Sequence, residues 1–296
     1  MQTRRALILG AAAIIVAMTA LYVTRRGTAA RAAAASSTET MAMGQSTLPA
    51  GAAEANARLT SSPRHGEWQV IRSGQDSIRA WVVFPERSGR APVVLVVHEI
   101  FGLSNWIRAV ADQLAADGFI AIAPDLLTMK DVPRAADGES DGSAARRVIG
   151  ELDRATVDRY LLAVADWGMK LPAALPRYGI VGFCWGGATS FAHAVASPEL
   201  GASVVYYGGS PAADLLATVR APVLGLYGED DARVNATIAA ADSAMKALGR
   251  TYEVHILAGA GHGFLRAQDQ REGANLTATR QAWPLTVSWF RTHLGS

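Results

Sequence analysis

A single cysteine, Cys184, occurs in the 296 residues of this chain. No intramolecular disulfide can form, which removes both a disulfide scaffold and any metal cluster built on several thiolates. A large charge excess is missing as well, the net charge being +2. Seven arginines against Glu39 and Glu54 give residues 1–65 a balance of +5, leaving about −3 for residues 66–296. A mildly acidic domain carries no electrostatic footprint for nucleic acid, which argues against such a partner. Residues 27–65 lack Phe, Tyr, Trp, Val and Ile altogether. So Ala/Ser/Thr-rich a stretch cannot bury enough apolar surface to offset its ordering entropy, and it reads as a flexible linker. No internal repeat at solenoid periods is present.

What the chain does have begins with a leader. Arg4 and Arg5 precede an uncharged run, residues 6–23, followed by Arg25 and Arg26. As a helix this run rises about 27 Å, just short of a hydrocarbon core roughly 30 Å thick. One reading of residues 1–26 is an export signal, with small residues around Ala32–Ser36 for cleavage. Thr3-Arg4-Arg5-Ala6-Leu7-Ile8 resembles a twin-arginine signal, which implies export of a folded protein to the periplasm. The alternative is an uncleaved anchor that touches the inner membrane through residues 6–23.

Residues 66–296 alternate two hydrophobic periods. Trp68–Ile71 and Ile78–Val83 suggest an antiparallel hairpin at one edge of a sheet. Pro92–Val97 is apolar throughout, as befits a central parallel strand covered on both faces. Helix 106–116 and strand 119–123 follow, then a polar stretch from Lys130 to Ser143. Beyond it come helix 154–168, strand 178–183, helix 186–196 and strands 202–207 and 223–227. Helix 236–248, strand 252–257 and a closing helix 283–293 complete the chain. This pattern predicts an α/β fold with a mostly parallel sheet, helices on both faces and an N-terminal antiparallel edge. Chemistry is then sought just past the carboxyl ends of the strands.

Gly182-Phe183-Cys184-Trp185-Gly186-Gly187 stands at such an end. It has the nucleophile-elbow form G-x-C-x-G-G, with Cys in place of Ser. A sharp strand-to-helix turn holds the nucleophile in strained backbone geometry, and glycines at 182 and 186 remove Cβ atoms that would collide with it. The following helix start is expected to favour thiolate at Cys184.

Six histidines compete to be its base. His193 and His293 fall inside helices, His255 inside a strand and His65 in the linker. His98 follows the central strand but precedes the nucleophile, whereas the elbow pattern orders nucleophile, acid, histidine. His262, in the glycine-rich loop Gly259–Phe264 after a strand, fits. The acid is sought in Glu229-Asp230-Asp231. The spacing G-x-x-D-x-x-V selects Asp231 to hold the imidazole tautomer, with Asp230 as runner-up.

The loop His98-Glu99-Ile100-Phe101-Gly102 stands where an oxyanion hole is built. Ile100 and Trp185 are the candidate backbone donors. Glu99 is an anomaly there, because a bare carboxylate would repel an oxyanion.

Together, the motifs at 98–102, 182–187, 228–231 and 261–266 resemble the dienelactone hydrolase (carboxymethylenebutenolidase) family of the α/β-hydrolase superfamily, over residues 66–296. The resemblance implies that Glu99 interacts with the cysteine and helps activate it when substrate arrives. It implies that Arg266 contacts a substrate carboxylate, and that the reaction opens a cyclic ester through an acyl-cysteine with no metal or other cofactor. A second substrate-binding arginine belongs to the family pattern, and Arg134, Arg146 and Arg147 lie in the right region. Two rival functions stand beside this one: a general carboxylesterase on the same triad, and a non-catalytic exported binding protein. Self-association is left open.

Overall fold

The computed structural model describes residues 47–295. The expected leader or anchor, residues 1–26, and most of the expected linker lie outside them. No helix among the described residues is long and apolar enough to cross a membrane.

The folded unit starts earlier than the sequence suggests. Part of the stretch read as linker forms a short helix, α1 (Ala55–Ser61). Ala55 is buried in the core, with Leu48 and Leu59 packed against it. Backbone polar groups supply what the composition lacks. The Trp106 Nε1–H donates to the Ala50 carbonyl at 3.1 Å, and Ala52 N–H donates to the Arg266 carbonyl at 2.8 Å. The Gln268 side-chain amide donates to the Pro49 carbonyl at 2.9 Å. Composition read one segment at a time does not show such partners.

Two strands, β1 (Gly66–Ser73) and β2 (Asp76–Val83), form the expected antiparallel hairpin. Next come β3 (Ala91–Val97), α2 (Asn105–Ala116) and β4 (Ile120–Pro124). All seven residues of β3 and all five of β4 are buried, the reason neither alternates polar with apolar. Each Val or Leu so enclosed contributes about 1.5–3 kcal/mol.

A helix the sequence did not suggest, α3 (Gly142–Val148), lies at the end of the polar stretch. Asp141 caps it by accepting from Ala144 N–H, and it buries only Ala144 and Ala145, too small a face to set a visible period. Then follow α4 (Arg154–Met169), β5 (Ala174–Phe183), α5 (Trp185–Ala196) and β6 (Ala202–Tyr206).

The chain continues as β7 (Val223–Asp230), α6 (Ala232–Asn235), α7 (Ile238–Ala247), β8 (Tyr252–Gly261) and α8 (Ala274–Leu294). The helix expected over 236–248 is α7, and the short α6 precedes it, separated by a break at Ala236 and Thr237. The Thr237 hydroxyl donates to the Val234 carbonyl and accepts from Ser210 N–H, which turns the chain there. The last helix begins at Ala274 rather than 283. Pro284 lies inside this helix, and burial of Ala278, Thr279 and Ala282 holds the turns before it.

The sheet order is β1-β2-β4-β3-β5-β6-β7-β8. β2 pairs antiparallel with β1 and β4, and every other neighbouring pair is parallel. Two apolar layers cover its faces, one with α2 and α8, the other with α4, α5 and α7. The carboxyl ends of β3, β5, β6, β7 and β8 carry the residues that matter next.

Candidate active site

Cys184 occupies the turn between β5 and α5 with φ 57° and ψ −114°, a backbone conformation that side chains rarely adopt. The turn is closed by its neighbours' lack of side chains. A Cβ on Gly182 would lie 1.8 Å from the Gly186 carbonyl oxygen, and one on Gly186 would lie 2.4 Å from that of Val97. Gly187 is just as tight against the Tyr206 carbonyl, and Gly208 against Ala188 N. Cys184 N–H donates to the Tyr206 carbonyl at 3.0 Å, fixing the turn to the end of β6.

The sulfur is a thiol at rest. Burial, then the nearby Glu99 carboxylate, push it up to about 11, against the smaller opposing pull of the Trp185 backbone N–H and the Arg233 guanidinium. The expectation that the helix start favours thiolate is corrected by this balance. One N–H does favour the anion, but desolvation and a like charge outweigh it.

The three consecutive carboxylates at the carboxyl end of β7, Glu229 to Asp231, have three different partners. Glu229 accepts from Gly259 N–H at 2.8 Å, and exposed Asp230 pairs with Arg271. Asp231 is buried, and its Oδ2 lies 2.5 Å from Nδ1 of His262. The runner-up Asp230 is therefore committed elsewhere, and Asp231 is the acid that reaches the imidazole. The His262 ring packs edge-on against Tyr207, with centroids 5.2 Å apart.

The other histidines have structural partners. His98 is fully buried; its Nδ1 is 2.7 Å from the Glu99 carbonyl and its Nε2 accepts from Leu126 N–H. Burial holds it below the usual imidazole range, in keeping with a neutral ring. It stacks on Trp185 at 5.8 Å and 15°, linking the loop after β3 to the elbow. His193, also fully buried, contacts the Tyr178 hydroxyl. His65 and His255 pair with Glu67 and Glu253, and His293 packs on Trp289. Ile100 and Trp185, the candidate oxyanion donors, pack against one small cluster formed by Leu127, Val132, Ala144, Ala145 and Ile149.

Glu99 is buried, and burial raises its carboxyl to about 7 despite the opposing charge of Arg266. Arg266 Nε lies 3.0 Å from Glu99 Oε2 yet has no aligned hydrogen bond, so the contact is one of charge alone. The Arg266 guanidinium lies 5.1 Å from the centre of the Phe101 ring, and that of Arg146 lies 5.5 Å from it. Arg134 is occupied by Asp125 and by the carbonyls of Leu127 and Val132. Of the three mid-chain arginines, Arg146 is the one that shares the Phe101 ring with Arg266. Phe101 also lines a cavity of about 560 Å³ together with Ser104, Arg134, Ser140 and Gly142.

Two residues here escaped sequence reasoning. Arg233 is exposed and adds a positive field at the sulfur. Its signal was its position two residues beyond the acid. Tyr207 follows β6 with φ 40°, and its hydroxyl is buried with no hydrogen-bond partner among the described residues. Such strain costs about 1–3 kcal/mol, and so does an unpaired buried hydroxyl. Nothing in the sequence separates it from an ordinary core aromatic.

In sequence and in fold the chain is similar to known proteins. The model of the "Dienelactone hydrolase family" matches residues 78–294. The "Putative carboxymethylenebutenolidase" of Salmonella typhimurium is 30% identical over 259 residues, covering 81% of this chain and 88% of that protein. That of Methylorubrum extorquens is 32% identical over 233 residues, covering 73% and 77%. Among solved structures, "Putative Dienelactone Hydrolase from Klebsiella pneumoniae" superposes with a TM-score of 0.68 at 30% identity, covering 77% of this chain and 98% of that one. A dienelactone hydrolase-like promiscuous phosphotriesterase from metagenomic libraries gives 0.66 at 26%, covering 78% and 98%.

Proposed function

The chain belongs to the dienelactone hydrolase family and is a hydrolase of lactone or ester bonds; from that membership we propose that it opens a carboxylate-bearing cyclic ester through an acyl-cysteine on Cys184. The observation that carries this reading is the contact between Arg266 and Glu99. A part-exposed guanidinium stands beside a buried carboxylate without an aligned hydrogen bond. A substrate carboxylate offers Arg266 a bidentate partner, and taking it releases Glu99.

Glu99 then accepts the proton of the Cys184 thiol. The thiolate attacks the ring carbonyl carbon, and the Ile100 and Trp185 N–H groups stabilise the oxyanion. Collapse breaks the ring C–O bond, and the imidazolium of His262, stabilised by Asp231, protonates the departing oxygen. His262, which enters the cycle as the imidazolium, regains that proton from water, whose hydroxide displaces the sulfur and releases the ring-opened diacid, and Glu99 returns its proton to the departing thiolate. Arg146 supplies a second cation for a substrate anion.

The test is a panel of lactones and esters, with and without a carboxylate. Cys184→Ala should abolish hydrolysis by several orders of magnitude, and Cys184→Ser should keep a trace. Arg266→Ala should raise KM for acidic substrates alone, about tenfold or more. Equal loss on neutral esters would favour a general carboxylesterase, and no turnover by the intact protein would favour a binding protein. For residues 1–26 we propose export to the periplasm; an intact N-terminus on the isolated protein would favour the anchor instead.

A further inference from the structure

Tyr207 is surrounded by the site, yet the reaction as written gives it no task. It follows β6 directly, and the residue before it accepts the Cys184 N–H. Its own N–H donates to the Leu226 carbonyl at 2.9 Å, and its ring packs on His262 and on Phe264 with centroids 5.2 and 5.3 Å away. Those contacts leave the ring little freedom, so its hydroxyl has one place to point. That oxygen is fully buried and unpartnered among the described residues. It lies within electrostatic range of the Glu99 carboxylate, the Cys184 sulfur and the Arg266 guanidinium.

A buried donor without an acceptor is rare enough to need a reason. Here the reason is an acceptor that exists only during turnover. While Glu99 faces Arg266, its charge is balanced. Once a substrate carboxylate takes Arg266, Glu99 is a buried anion with no counter-charge, and at neutral pH it would be protonated before it could receive the thiol's proton. We propose that Tyr207 is a positioning residue whose hydroxyl donates a hydrogen bond to the Glu99 carboxylate when Arg266 leaves it, keeping Glu99 ionised and aimed at Cys184. Tyr207 suits this task because burial and the neighbouring acids hold its phenol well above the ordinary range. It stays a donor throughout and never competes as a base.

Among the described residues, the groups in electrostatic range of Glu99 are Arg266 from the loop after β8, at 3.0 Å, Cys184 from the elbow and Tyr207 from the end of β6. The inference rests on the acyl-cysteine reading, and the two can fail separately. Tyr207→Phe keeps the ring that packs on His262 and Phe264 and removes only the hydroxyl. With a carboxylate-bearing lactone, kcat should fall about tenfold or more while KM stays within about twofold, and the acid limb of the kcat profile should move to higher pH. In a Glu99→Gln background the same change should have no further effect, because the carboxylate whose charge it holds is gone. Unchanged kcat and an unmoved acid limb in Tyr207→Phe would overturn the inference, and so would an equal loss in the Glu99→Gln background. Hydrolysis that survives Cys184→Ala would instead remove the acyl-cysteine reading itself, and this inference with it.

Discussion

Cys184 and Tyr207 lie just past the ends of neighbouring parallel strands, and both hold a positive φ, 57° and 40°. Two strained, side-chain-bearing positions at adjacent strand ends are costly to keep. They stand at the carboxyl end of the sheet, where Glu99, Asp231 and His262 also gather. Strain and chemistry therefore coincide in space.

The acid's task is orientation. Asp231→Asn keeps the size of the side chain but offers an amide where a carboxylate accepts from His262 Nδ1. The imidazole is then free to adopt the wrong tautomer. We expect kcat to fall by about 10³-fold or more with little change in thermal stability, measured on any ester the intact protein hydrolyses. Asp230→Asn should leave kcat within about twofold, since its partner is Arg271.

The resting thiol gives a signature that needs no substrate. Burial and Glu99 push Cys184 up to about 11, so only the small ionised fraction reacts with iodoacetamide near neutrality. The thiolate fraction rises as pH climbs towards that value. The alkylation rate should therefore increase about tenfold per pH unit from pH 7 to 10. A plateau near pH 8 would mean an already ionised sulfur and would contradict the structure.

Much of the site follows from the rule that ligands gather past strand ends, together with the glycine spacing around Cys184 and His262. What escaped depended on contacts between distant segments. Arg134, Arg146 and Arg147 look alike in sequence; only the fold shows Asp125 holding the first and Phe101 lying under the second. Tyr207 is one more apolar letter at the end of a strand. The protonation of Cys184 is set by the balance of burial and Glu99 against a helix start, and only the helix start shows its sign in the chain.

The elbow has no room for repair. In Gly182→Ala the new methyl meets the Gly186 carbonyl at 1.8 Å, backbone against which no side chain can give way. We expect a loss of about 3 kcal/mol or more in denaturant unfolding, or failure to accumulate as folded protein. Gly150→Ala has open space around the added methyl and serves as the control, with a change within about 1 kcal/mol.

The segment from Leu48 to Ala55 is part of the working unit. A chain starting at residue 60 loses the bonds to Arg266, Trp106 and Gln268 and the burial of Ala55. Against a chain starting at residue 47, it should unfold with about 2–4 kcal/mol less stability. Its KM for carboxylate-bearing substrates should rise, because the backbone that presents Arg266 has lost a tether. Identical melting curves for the two would show that the segment is an ornament.

The glycine-lined elbow has an implication for descent. Four positions around Cys184 press main chain against main chain, while the sulfur itself projects from the turn. A lineage could exchange that atom for a hydroxyl oxygen in a single substitution and keep its frame, but no neighbouring glycine could acquire a methyl without the frame giving way. Variation in this protein's relatives should thus be found at the point of the turn and hardly at all beside it.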